Sequence, residues 1–532
     1  MPSARFLTRM TSPFFDENGS DHLTASVQER KKIMAEGFSI LDLMESPHTD
    51  APRPVFYLDL NLNQILDKVT AQWGNPVKKM FLYFPRNKEC EDYRRAVYGD
   101  VKKAACHEAL SHFLEVTEKM EENQKQEEAV ISPMQKDVWH LWAIRHYCEA
   151  YGGLCKALEE MELSSEGMRE FLRRLKEHLS SKEYLEMQEK VDATLKKLME
   201  CRFLITYEKD RMIISEGTAP GDYEAFMDQN GDRDRITLKS PFRISPNLSD
   251  LENACLEVLA GKRPEIFRGL AETAEKYQSF GEEFCFRFRR EIPYYLSFRA
   301  FQAEMEQKGF HFCTPTVDEE KPVSAEGLYD LALAIVAHRE GRKVVSNDFD
   351  YREGESFFVL TGPNQGGKTT FARSLGQLVF FTKMGLDAPA DRANLHYYKN
   401  ILTHFSVEES IETGRGKLKE ELLRLAPMME DSEENDFVVI NELFTTAATY
   451  DAEIMGKKVL THFIEQKCQG IYVTHLKELA YVHSGVVSLR AMLNEERLQS
   501  FRIARSEAEE SACAANLVNK YRLTYEQLKE RL

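Results

Sequence analysis

One stretch, FFVLTGPNQGGKTT at Phe357–Thr370, restricts what this chain can fold into more than any other. The apolar run Phe357 to Leu360 reads as a buried strand, and it leads directly into Gly362-Pro363-Asn364-Gln365-Gly366-Gly367-Lys368-Thr369, which fits G-x-x-x-x-G-K-[ST]. An apolar-periodic stretch follows from Phe371 to Met384 and reads as a helix. Strand, glycine-rich loop and helix in that order separate a phosphate-binding loop from a glycine-rich turn with a chance Lys-Thr. Glycines 362, 366 and 367 let successive backbone N–H groups turn inward on a polyphosphate, and the helix presents its positive end to the same anion. Lys368 is then expected to reach the β- and γ-phosphates, and the Thr369 hydroxyl to sit on Mg²⁺.

The chain has 532 residues, enough for several hydrophobic cores. Its formal net charge of −17 means that a nucleic-acid surface has to be a local basic patch. Ten cysteines are scattered from Cys90 to Cys513 with no C-x-x-C pair and no zinc-ligand spacing, the usage of core thiols in a reducing compartment. The N-terminus has no apolar signal region and no run is long enough to cross a bilayer, so the expected location is the cytoplasm.

In chain order, residues 1–55 read as a polar extension with a helix around Val27–Met44 and a Pro-rich linker. Residues 56–312 are dominated by helical periodicity: Leu58, Leu62, Ile65 and Leu66 share one face, as do Cys106, Leu110, Phe113 and Leu114. EENQKQEE at Glu121–Glu128 reads as a solvated loop or helix surface. Leu172, Leu175 and Leu179, then Val191, Leu195 and Leu198, predict two charged helices that pair as a hairpin. Around residues 202–245 the pattern shifts toward period two, with RFLITYEKDRMIISEG turning at a Lys-Asp pair and a further strand region over Arg235–Ile244. The Arg/aromatic interleaving of Arg287–Phe301 is read as core aromatics rather than a nucleic-acid patch. Residues 313–505 form an α/β unit carrying the phosphate loop, and residues 506–532 a helical tail.

Hydrolysis of a nucleotide needs more than a cradle. Asp436 to Glu442, DFVVINE, reads as a strand ending in a polar pair, with Glu442 placed to orient and polarise water. A third strand, Gly470 to Val473, delivers Thr474 and His475 to the edge of an open α/β sheet where ligands sit, and His475 is a candidate to contact the γ-phosphate or the water.

These segments together resemble the ATPase domain of the MutS mismatch-repair family. TGPNQGGKTTFARSLGQLVFFTKMGLDAPA resembles its phosphate-loop region, VVSND at Val344–Asp348 the segment entering the nucleotide site, and TGRGKLKEEL at Thr413–Leu422 its signature segment. NELFTTAATYDA at Asn441–Ala452 resembles the magnesium strand with its subunit-contact loop, and VTHLKEL at Val473–Leu479 the switch-histidine segment. FYLDLNLNQIL, LYFPRNKECEDYRRAVYGD and REIPYYLSFRAF are similar, more loosely, to the family's helical core. The resemblance implies a P-loop NTPase domain of the ABC-type ATPase class after a mostly α-helical lever and clamp domain with a small β insert. It implies ATP and Mg²⁺ as cofactors, held by Val344, Asn347, Gly362, Pro363, Asn364, Gln365, Gly366, Gly367, Lys368, Thr369 and Thr370, with Thr369 and Asn441 at the metal and Glu442 and His475 catalytic. It also implies a homodimer in which Gly416 of one subunit faces the other's phosphate and Asp451 lies in the contact loop.

The chain departs from the family pattern in three places. Asn441 stands where the family usually has Asp, which removes a negative charge from the metal site, and Gly416 stands where it has a Ser, leaving backbone N–H groups with Arg415 or Lys417 to meet the phosphate. Only about 50 residues precede the helical core, with no G-x-F-Y-E-like motif, and the expectation is a member without the mismatch-reading domain. The expected function is a dimeric, ATP-gated clamp on double-stranded or structured DNA, in repair or recombination, without mismatch reading. The alternative is a nucleotide-gated interaction protein acting on a protein or ribosome-like assembly, with slow ATP hydrolysis and no DNA role. A basic inner face including Arg173, Arg174, Lys196 and Lys197 would favour the first.

Overall fold

Helix-forming apolar spacing builds the first half of the computed structural model, which describes residues 38–43, 54–201, 203–208, 211–216, 250–405, 416–494, 499–507 and 529. The first helical run is broken: Asn61 adopts a left-handed backbone (φ 55°), so Phe56–Asp59 and Leu62–Val69 are separate helices. The break turns Leu58 out to solvent while Leu62, Ile65 and Leu66 are buried, so the predicted common face holds for the last three only. Ala104–Ala129 and Pro133–Glu159 form a long helical hairpin, and the acidic EENQKQEE stretch lies on the first of them. Ser165 and Ser181 cap Glu166–Leu179 and Lys182–Glu200 by accepting from the N–H groups of Met168 and Tyr184. The strands β1 (Phe203–Glu208) and β2 (Arg211–Glu216) pair antiparallel, as the period-two pattern predicts. The expected strand at Arg235–Ile244 lies outside the described residues, as does most of the expected helix at Val27–Met44, whose described part, 38–43, is not helical. Helices Asp250–Lys262, Pro264–Lys276 and Glu283–Gln307 complete this half. The last of these buries Phe288, Tyr294, Tyr295, Phe298 and Phe301, in line with the core reading of its aromatics.

The second half holds two sheets. Short strands β3 (Thr316–Val317), β4 (Ser324–Leu328), β5 (Asn347–Asp350) and β7 (Arg392–Leu395) form one, in the order β3-β7-β4-β5. The larger contains β6 (Phe357–Thr361), β8 (Ile401–Phe405), β9 (Phe437–Asn441), β10 (Gln469–Val473), β11 (Val486–Leu493) and β12 (Gln499–Arg505), in the order β12-β11-β6-β10-β9-β8. All its pairings are parallel except β11 with β12. Both faces are covered, which is why β6 and β9 read as unbroken apolar runs. Phe358, Leu360, Val439 and Ile471 join the core shared with the helical half, whereas Phe357, Val359, Val438 and Ile440 pack under the helices Lys417–Glu430 and Thr449–Glu465.

The helix that follows the phosphate loop, Lys368–Lys383, joins the two halves. At Gly376 an added Cβ would lie 2.5 Å from the Leu60 side chain, so any larger residue there has to displace the Leu60 methyl groups. Gln377 donates to the Leu60 carbonyl (3.0 Å) and Arg373 to the Asp59 carbonyl (2.9 Å). The far end is held too: Arg95 donates to the Thr382 carbonyl (3.2 Å), Tyr294 to the Met384 carbonyl (2.8 Å), and Lys383 pairs with Glu91 (2.7 Å) with both side chains buried. The rod that starts at the phosphate loop is therefore fixed at its other end by the helical half.

Candidate nucleotide site

Strand β6 delivers the chain into a loop whose backbone curls back on itself. Gly362 and Gly367 have φ of 125° and 90° and Gln365 has φ 61°, the left-handed values a phosphate nest requires. Gly367 caps the helix Lys368–Lys383, so unsatisfied N–H groups of its first turn face the loop. Lys368 is buried, and its ammonium donates to the carbonyls of Gly362 and Pro363, 3.0 Å each, which aligns it with the loop.

A cleft of about 330 Å³ opens beside this loop. Its walls include Asn364, Gln365, Gly367, Lys368, Thr369, Thr370, Val344, Asn347 and Glu442, all expected from the sequence. Gly362, Pro363 and Gly366 form the back of the loop rather than the wall. Beside it, the Thr369 hydroxyl donates to Asn441 Oδ1 at 2.9 Å, bringing together the two residues expected at the metal although they lie on different elements. Two hard oxygen atoms on one spot at the end of a phosphate loop fit Mg²⁺.

Glu442 follows β9 with a left-handed backbone (φ 54°), its N–H donating to the Val473 carbonyl (2.9 Å) and so extending the β9–β10 ladder by one rung. Its Oε1 lies 3.3 Å from His475 Nε2. The parallel register Val473↔Asn441 sets this meeting, since it brings the ends of the two strands level. His475 stands behind Glu442 and is not part of the cleft wall.

Asn347 has a different setting from the one expected of a simple ligand contact. Its amide donates to the Phe501 carbonyl (3.1 Å) and accepts from the Ile503 N–H (2.8 Å), so both ends are engaged by β12. The residue it holds, Phe501, lines the cleft against the loop with a left-handed backbone (φ 58°), and its ring edge lies 3.5 Å from where a Gly367 Cβ would be. The sequence reading missed Phe501. No motif surrounds it, and its conformation depends on a register shift between β11 and β12 near Ala491. Arg342 and Lys343 also line the cleft; a basic pair directly before Val344 was the available signal.

Gly416 caps the exposed N-terminus of Lys417–Glu430 and does not line this cleft, while Arg415 and the Lys417 side chain fall outside the described residues. Asp451 is exposed in the first turn of Thr449–Glu465. Behind the site, Asp59 from the helical half accepts from Thr403 (2.7 Å) and Arg424 (3.3 Å). Burial raises the Asp59 carboxyl against the pull of these partners, and burial with the nearby Arg424 charge pushes His404 down to about 4. In the helical half, Arg173 is paired with Glu170 (2.7 Å) and Glu177 (2.5 Å), and Arg174 with Glu170 (2.8 Å); Lys196 and Lys197 are exposed. Cys90, Cys106, Cys148, Cys155, Cys285 and Cys468 are buried free thiols.

Comparison with known proteins agrees with this geometry. Residues 358–515 match the family described as MutS domain V. The chain is 26% identical over 344 residues to the DNA mismatch repair protein MSH6 of Arabidopsis thaliana, covering 62% of this chain and 24% of that protein. It is 24% identical over 265 residues to the DNA mismatch repair protein MutS of Thermotoga sp. (strain RQ2), 49% of this chain and 31% of that one. To the MutS of Pseudothermotoga lettingae it is 29% identical over 159 residues, 29% and 20% respectively. The chain thus spans no more than about a third of the length of these relatives. The match takes in β6 from Phe358 on, the phosphate loop, β9 with Asn441 and Glu442, and β10 with His475, so this part of the chain is similar to MutS domain V.

Proposed function

We propose that the protein is a MutS-like ATPase that uses ATP binding and hydrolysis to gate its grip on double-stranded or structured DNA. The observation that supports this most directly is the meeting of two elements: the helix Lys368–Lys383 and the end of β9 bring Lys368, Thr369 and Glu442 to one cleft, with Asn441 bonded to Thr369 beside it. In this reading the triphosphate lies along the loop, its oxygens taking hydrogen bonds from backbone N–H groups and the Lys368 ammonium. The base stacks beside Phe501, which Asn347 positions. Mg²⁺, held by Thr369 and Asn441, supplies positive charge to the phosphate oxygens. Glu442 accepts a hydrogen bond from a water and aims its oxygen at the γ-phosphorus; that P–O bond forms as the bond to the β–γ bridging oxygen breaks, and the water's proton leaves with inorganic phosphate. His475 holds the Glu442 carboxylate and responds to loss of the γ-phosphate. Asn441 adds no negative charge, which favours slow turnover.

The functional unit in this reading is a homodimer, with Gly416 facing the partner's nucleotide. Leu423 and Tyr450, on the two helices that cover the outer sheet face, are 51% and 72% exposed, apolar surface of the kind a second copy would cover. A second reading, a nucleotide-gated grip on a protein or ribonucleoprotein, draws on the ion pairs that neutralise Arg173 and Arg174.

The test of the site is a pair of substitutions read by ATP binding and phosphate release. Lys368→Ala abolishes binding, whereas Glu442→Gln binds ATP as the wild type does and loses hydrolysis by roughly a hundredfold or more. Wild-type hydrolysis by Glu442→Gln would remove the carboxylate from the mechanism.

A further inference from the structure

Glu442 and Phe444, two residues apart, both have left-handed backbones, φ 54° and 63°. Non-glycine residues adopt that conformation only where their surroundings hold it. On one side the holding group is the Val473 carbonyl, which accepts from the Glu442 N–H at 2.9 Å. On the other it is a side chain: Glu421 Oε2 accepts from the Phe444 N–H at 3.1 Å. Glu421 is 3% exposed and lies on the helix Lys417–Glu430, which begins at Gly416.

That helix is itself tied to the sheet at the same level. Burial keeps the His404 imidazole neutral, and its Nε2–H donates to the Glu421 carbonyl at 3.3 Å, while Arg424, one turn on, donates to the Phe405 carbonyl at 3.0 Å. Glu421 therefore has a fixed backbone behind it and the strained turn in front of it. It does not line the nucleotide cleft.

We propose that Glu421 is a positioning residue for hydrolysis: its carboxylate fixes the Glu442-Leu443-Phe444 turn, aims the Glu442 carboxylate at the attacking water, and couples that aim to the helix starting at Gly416. This rests on the assignment of Glu442 made above. A carboxylate accepting a buried N–H makes a charge-assisted bond, and without it the Phe444 N–H is left buried and unpaired, so the turn relaxes. Displacing a reacting group by about an ångström costs roughly a hundredfold in rate while leaving a distant binding contact alone.

The experiment compares Glu421→Ala, Glu421→Gln and Glu421→Asp in the full chain, measuring ATP Kd, single-turnover phosphate release and thermal unfolding. Glu421→Ala is expected to slow hydrolysis roughly tenfold to a hundredfold with ATP Kd unchanged. Glu421→Gln keeps an acceptor and returns the rate to within about fivefold of wild type. Glu421→Asp keeps the charge but draws it back from the Phe444 N–H, and it slows hydrolysis like Glu421→Ala, so the proposal stays testable if the alanine variant does not fold. In a Glu442→Gln background, Glu421→Ala brings no further loss, because the residue acts through Glu442. A folded Glu421→Ala or Glu421→Asp protein with the wild-type rate, an additive loss in the Glu442→Gln background, or equal losses of ATP affinity and rate would each overturn the proposal. If Glu442→Gln itself hydrolyses ATP normally, the underlying assignment fails; if Glu442→Gln is inactive and the Glu421 variants are normal, only the positioning role fails.

Discussion

At position 441 an amide occupies a spot beside a phosphate loop where a carboxylate would attract a divalent cation more strongly. Asn441 still accepts the Thr369 hydroxyl, so the geometry survives while the charge does not. Asn441→Asp is predicted to lower the Mg²⁺ concentration for half-maximal hydrolysis by roughly tenfold or more, since one full charge is added within a few ångströms of the ion. A Mg²⁺ titration with an unchanged midpoint would place the metal elsewhere. In the helical half, Glu291 is a buried carboxyl. Burial pushes its carboxyl up to about 7 from 4.5, against the donors Ser39 and Ile40 (2.9 Å each) and the charges of Arg287 and Arg94. The folded state therefore binds this proton more tightly than the unfolded chain, and the contribution of Glu291 to stability falls as pH rises from 4.5 to about 7. Glu291→Gln, which cannot ionise, should gain stability relative to wild type across that window and run parallel to it outside; urea unfolding at several pH values measures this. Residues fixed by motif spacing, such as Lys368, Thr369 and Glu442, were legible because the loop and the strand ends carry their own patterns. Phe501, the engagement of Asn347 by β12 and the reach of Glu421 were not, because each depends on a register or a packing distance that one segment's sequence does not contain.

At the scale of elements, the helix Lys368–Lys383 has the phosphate loop at one end and a buried ion pair at the other. Its existence followed from the apolar spacing of Phe371 to Met384, but its attachment did not, since Glu91 lies far away in sequence and reads locally as an ordinary charged helix residue. The broken run at Asn61 failed in the same way: periodicity predicted one face, and a single left-handed residue turned Leu58 outward. Glu91→Ala strands the Lys383 ammonium among buried groups and is predicted to destabilise the protein by about 3–5 kcal/mol. Replacing both partners, Glu91→Leu with Lys383→Met, should recover most of that loss, because neither charge then has to be desolvated. Urea unfolding of the three proteins decides it; equal losses for the single and the double variant would show that the site is sensitive to shape and not to an unpaired charge.

Across the whole molecule, one hydrophobic core runs from the helical half into the inner face of the large sheet. Asp59, Leu60, Glu91 and Tyr294 reach the nucleotide half by hydrogen bonds or an ion pair, so a change at the phosphate loop has short physical routes into the helices. The division into a helical half and an α/β half was legible from periodicity and from the composition shift after Cys313. The charge that the helices present was not, since the basic residues singled out there include two neutralised by ion pairs. Among the described residues no helix is long and apolar enough to cross a membrane. The proposed closing of this molecule on DNA by ATP is measurable as the affinity of the Glu442→Gln protein for duplex and branched DNA with ATP and with ADP across a range of salt. Binding is expected to require ATP and to weaken linearly in log Kd against log salt, as phosphate contacts dictate. Retention of ATP with no salt-dependent binding to any of these DNAs would contradict it and favour a protein or ribonucleoprotein partner.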